Sequence, residues 1–95
     1  MSERIENIAK AVERAAQCAA THVESVVVVE MFRGQTMWEG VVEIFTLHEH
    51  AKAKRAYGWK TGDGEAAQYT AVLEIPPVDS ANTAVRASIV AASKK

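Results

Sequence analysis

His48-Glu49-His50 is the stretch in which side-chain type and spacing first suggest chemistry. Residues i and i+2 of an extended segment face the same way, so the two imidazoles share one side. Cys18 and His22 fall one turn apart if their segment is helical. Together they are four borderline ligands of the kind that closes a tetrahedral zinc site. No spacing in the chain ties one pair to the other, so the expectation is solvated histidines at 48 and 50, a histidine at a helix C-terminus at 22 and a small buried thiol at 18. No metal and no cofactor is expected. Glu39 and Glu43 lie on one side of an extended run and are the residue types of an acid and base pair. Four residues of strand separate them by roughly 13 Å at ~3.3 Å per residue, too far to flank one bond, and pairing with lysines on neighbouring strands is the expected role. Cys18 would be a nucleophile only with His22 as its base. The glycines of Gly62-Asp63-Gly64 belong to a turn, not to a phosphate-binding loop.

Basic and aromatic residues interleave at Lys52, Lys54, Arg55, Tyr57, Trp59 and Lys60. That composition suits base stacking and phosphate contacts, and Arg55-Ala56-Tyr57-Gly58-Trp59 echoes the start of an RNA-recognition signature. On a strand, however, Tyr57 and Trp59 face away from Lys54 and Lys60, which predicts core aromatics beside a solvated basic rim. With 11 basic against 12 acidic residues and a net charge of −1, no global field draws the chain to nucleic acid or an acidic membrane. Nucleic acid is therefore not the expected partner.

The elements that position these residues follow from periodicity. Residues 2 to about 21 place Ile5, Ile8, Val12, Ala15, Ala16 and Ala19 at steps of three and four, a narrow helical stripe of mostly small side chains. Ser2 is its expected N-cap. Ser25 to Phe32 carries four consecutive valines, which favour a strand. Arg33 to Thr36 reads as a turn, and Met37 to Leu47 as the hairpin partner, with Gly40 marking a bulge. Ala53 to Lys60 and Ala67 to Ile75 alternate with period two about Thr61-Gly62-Asp63-Gly64-Glu65, a second hairpin. Its expected inner face holds Tyr57, Trp59, Tyr69, Ala71, Leu73 and Ile75. Pro76-Pro77 ends the last strand, and Asp79 or Ser80 caps a helix closed by Lys94 and Lys95. The expected fold is a single α+β domain over residues 1–95. It is an antiparallel four-stranded meander in the order α-β-β-β-β-α with both helices on one face.

The first hairpin departs from clean alternation. Val26 and Val28 point one way while Val27, Val29 and Met31 point the other, and Trp38, Val42 and Ile44 oppose Met37, Val41, Phe45 and Leu47. A sheet covered on one side only should be polar on its other side. A second apolar face therefore predicts a further cover, and the expected one is a second copy of the chain, with Val27, Val29, Val41 and Phe45 at the interface. The alternative is a small-molecule binder or small enzyme whose pocket lies between sheet and helices, lined by Trp38, Tyr57, Trp59 and Tyr69.

The segment Trp38-Glu39-Gly40-Val41-Val42-Glu43-Ile44-Phe45, the stretch from Leu47 through Trp59, and Val72-Leu73-Glu74-Ile75-Pro76-Pro77-Val78 resemble a group of small uncharacterised bacterial proteins. Their reading frames look like those carried on mobile or accessory DNA, including integron gene cassettes, and the similarity spans about residues 25 to 92. The resemblance implies a bacterial accessory protein and brings no activity, cofactor or site residue with it. One cysteine forms no internal disulfide, and no apolar run reaches the ~20 residues of a membrane span. The expected setting is cytoplasmic, without membrane attachment. No specific reaction is expected; a homodimeric interaction module leads the sequence reading.

Overall fold

The computed structural model describes residues 3–62 and 64–93; the expected cap Ser2, the turn residue Asp63 and the closing Lys94 and Lys95 lie outside the described residues. The chain folds as α1 (Glu3–Ala16), β1 (Ala20–Phe32), β2 (Gln35–Leu47), β3 (Arg55–Thr61), β4 (Gln68–Leu73) and α2 (Ala81–Ser93), with one 3-10 turn at Gly64–Ala66. All pairings are antiparallel, in the spatial order β1-β2-β3-β4. It is an α+β fold with the α-β-β-β-β-α order that periodicity predicts.

α1 is shorter than its apolar spacing suggests. Gln17 takes a positive φ of 58° and its N–H returns to the Glu13 carbonyl at 2.8 Å, which closes the helix without a glycine. The Glu13 carboxylate then accepts the Ala20 N–H at 3.2 Å and starts β1 five residues earlier than Ser25. Cys18 consequently sits beyond the helix and His22 on a strand, so the expected one-turn pair does not exist. At the other end of the chain, the Thr83 N–H donates to Ser80 Oγ at 3.2 Å and the Ser80 N–H donates to Thr83 Oγ1 at 2.9 Å. This reciprocal cap fixes Ser80 as the residue that opens α2.

The two helices cover opposite faces, which corrects the expectation of both on one. The reason is legible in β3, where small and large residues alternate. Ala56 and Gly58 face α1; Tyr57 and Trp59 face α2. α1 brings the bulky Ile8 and Val12 to its contact, and a Cβ on Gly58 would lie 2.5 Å from Ile8 Cγ2 and 3.2 Å from Val12 Cγ2. α2 presents Ala81, Ala84 and Val85, small enough to admit the large rings beneath it. Each face thus matches large side chains to small ones across the layer, the condition for native packing density. α1 lies mainly over β3 and β4, and α2 mainly over β1.

The same alternation corrects the second hairpin. Gly58 pairs with Ala71 and Ala56 with Leu73, so Ala71 and Leu73 share the α1 face while Tyr57 and Trp59 share the other. Tyr69, opposite Lys60, also lies on the α1 side. The connection from 62 to 67, lengthened by its 3-10 turn, sets this parity, and a one-residue change in register exchanges the faces. Gly40 pairs regularly with Val28 and is not a bulge. Its missing Cβ makes room for the Trp38 indole, whose Cη2 would lie 3.0 Å from one. The irregularities fall at Val23, the extra residue on β1 between His22 and Glu24, and at Met37, the extra residue on β2 between Thr36 and Trp38.

Candidate functional site

The α1 face of the β1–β2 hairpin can be followed rung by rung: His22 opposite Phe45, Ser25 opposite Glu43, Val27 opposite Val41, Val29 opposite Glu39, and Met31 opposite Thr36. α1 covers the first two rungs and leaves the remaining three open. Val27 is 74% exposed, Met31 60% and Val41 40%, and Val29 and the bulged Met37 are exposed beside them. Three of the four expected interface residues therefore meet on one open strip. Phe45 does not join it: it is fully buried with Ile8, Val12 and Leu47, and belongs to the core between α1 and the sheet.

Where the strip meets α1, Glu43 is a fully buried carboxylate with every contact of its two oxygens supplied by protein donors. Arg4 donates to Oε2 at 2.7 Å, and His22 Nε2 and Ser25 Oγ donate to Oε1, the histidine at 2.8 Å. Burial pushes this carboxyl up, and the hydrogen bonds from Ser25, His22 and Arg4 outweigh it and hold the group below its ordinary 4.5. An ionised Glu43 accepts only, so His22 carries its proton on Nε2. The cluster places Ser, His and Glu together, yet both Ser25 and His22 point at the carboxylate rather than at each other. That geometry anchors α1 and β1 onto β2 and puts the Glu43 carboxylate, not the His22 imidazole, on Ser25 Oγ. The carboxylate was readable in the sequence as a possible acid or base; its partners were not, because Arg4 is 39 residues distant. Glu39, its expected companion, stands in the open strip.

The four aromatic candidates divide between the faces. Trp38 and Trp59 meet edge to face at 5.7 Å and 68°, under α2. Tyr57 is buried beside them and donates to Glu74 at 2.5 Å; burial first, then Glu74, pushes its phenol well above the ordinary range. These three rings fill the core. Tyr69 lies across the sheet, where Asn7 donates to its hydroxyl at 3.3 Å. No shared pocket joins the four. One concavity is an open, mostly apolar groove of about 600 Å³ between Pro77, Val78 and α2 at Thr83, Ala87 and Val90. A smaller polar one of about 290 Å³ runs between Tyr69 and Lys10 and Arg14 of α1.

The histidine candidates separate as well. His48 Nε2 and Thr21 Oγ1 are 2.7 Å apart, His50 Nδ1 accepts the N–H groups of Lys52 and Ala53 at 3.1 and 2.8 Å, and His22 is held by Glu43. Among the described residues no three His, Cys, Asp or Glu side chains converge as metal ligands. No helix among them is long and apolar enough to cross a membrane. No family model, curated protein or solved structure matches the chain.

Proposed function

We propose that this protein is a self-associating interaction module, a homodimer whose contact surface includes the open strip of Val27, Val29, Met31 and Val41. The observation that carries this reading is the way α1 stops short. It covers the polar Glu43 cluster and leaves Val27, Val41, Val29 and Met31 beyond it in solvent, with Glu39 and Thr36 among them. Single exposed apolar residues are ordinary, whereas neighbouring ones that form a patch rimmed by polar residues are the kind of surface that marks association sites. Such a module is in keeping with a bacterial accessory protein of the kind the sequence resembles. The small-molecule reading is supported only by the groove beside α2, because the expected aromatic pocket is filled by its own rings.

The test is a paired charge substitution. Val27→Asp with Val41→Asp should convert the protein to monomer in multi-angle light scattering while far-UV circular dichroism stays native. A double variant that keeps the mass of the parent would reject the strip as the contact.

A further inference from the structure

We propose that the free edge of β1 pairs antiparallel with the same edge of a second copy, about a two-fold axis through Val28, so that two four-stranded sheets become one sheet of eight. This rests on the self-association proposed above and names the surface and register it uses.

The two edges of the sheet are built differently. β4 has six residues and runs into Pro76-Pro77, two of the devices that blunt an edge. β1 has 13 residues and carries no proline, lysine or arginine from Ala20 to Phe32. Among the described residues nothing pairs with its outer side between Glu24 and Phe32. Such an edge presents a row of main-chain donors and acceptors that only another strand satisfies in full. One receptive edge per chain also closes the assembly at two copies and disfavours an open filament.

A second copy on this edge adds main-chain hydrogen bonds and sets the exposed Val27 and Val29 of one copy beside Val29 and Val27 of the other.

The register follows from the bulge and the charges. Val23 interrupts β1, which leaves nine uninterrupted residues, Glu24–Phe32, with Val28 at their midpoint. A two-fold at Val28 uses all nine and sets Val27 opposite Val29 of the other copy, Ser25 opposite Met31, and Val26 opposite Glu30. A two-fold at Val27 would pair only the seven residues Glu24–Glu30 before the ladder ran into the Val23 bulge. A two-fold at Val26 would run the ladder through the Val23 bulge. Glu30 is already neutralised within its own chain, where Arg86 Nε donates to it at 2.9 Å and Asn82 at 3.3 Å, so the Val28 register meets no free charge at that position.

Cysteine pairing reads the register directly. In a Cys18→Ser background, Val27→Cys and Val29→Cys are made separately, both at exposed positions. Directly opposed residues have Cα atoms ~4.5–5.5 Å apart, within reach of a disulfide, whereas Val27 and its own copy would be diagonal and beyond the ~7 Å limit. The two variants refolded together and oxidised should give a disulfide-linked dimer, and either one alone should not. Linking of Val27→Cys with itself, or no link in the mixture while sedimentation still reports a dimer, overturns the edge pairing and leaves self-association standing. A monomeric parent protein overturns both.

Discussion

Val27 and Val41 face each other across the β1–β2 ladder and both stand in solvent, one rung beyond a carboxylate buried without any exposure. The transition from Glu43 to Val41 is where the cover of α1 ends. Burying this charge beside exposed valines inverts the usual order of preference.

Phe45 and Val27 should respond oppositely, although both were expected at one interface. Phe45→Ala removes a fully buried ring and should cost about 3–5 kcal/mol of stability. Val27→Asp should change the unfolding free energy of the isolated subunit by no more than about 0.5 kcal/mol, as exposed substitutions do. Urea titrations of both variants at a concentration where each is monomeric make the comparison.

Gly58 seats α1. Gly58→Ala places a methyl 2.5 Å from Ile8 Cγ2, and overpacking of this kind costs about 1–3 kcal/mol. A melting temperature equal to that of the parent would contradict the close approach of α1 to β3.

Acid should act through Glu43. Its folded value lies below its ordinary 4.5, so its contribution is present above about pH 4.5 and is lost as pH falls through the lowered folded value. Glu43→Gln should therefore be less stable than the parent at pH 7 and lose less on going to pH 3. Urea midpoints at the two pH values check the sign, and identical acid losses in both proteins would exclude Glu43 as the source.

Trp59 should be structural. Trp59→Ala removes a ring packed against Trp38 beneath α2 and should cost about 3–5 kcal/mol, a large part of the ~5–15 kcal/mol that holds a domain together. Oligonucleotide titration of the parent should stay in the weak range of about 10⁻⁴–10⁻⁶ M at physiological salt. A stable, folded Trp59→Ala protein that had lost tighter binding would reverse this assignment.

What the sequence made legible was mostly local. The valine run, the turn at Arg33 to Thr36, the stop at Pro76-Pro77 and the cap at Ser80 each carry their signal within a few residues. Helix α1 ran on in the sequence reading because Gln17 ends it in a conformation usually marked by glycine. The faces of β4 went wrong because the 3-10 turn after Gly62 sets a parity that alternation within either strand does not reveal. Short connections suggest both helices on one side, and the second apolar face, Phe45 included, is then left to a partner copy. Phe45 needs no second chain, because it is buried with Ile8 and Val12 of α1. On the α1 face of the first hairpin, Val27, Val29, Met31, Met37 and Val41 remain for one, and the Glu43 cluster beside them depends on Arg4, which no short-range pattern connects to β2.

Sedimentation equilibrium of the unmodified protein across micromolar to high micromolar concentration tests self-association most directly. The expected mass is twice the 10.3 kDa of one chain, with dissociation on dilution. A mass of 10.3 kDa at every concentration would contradict it.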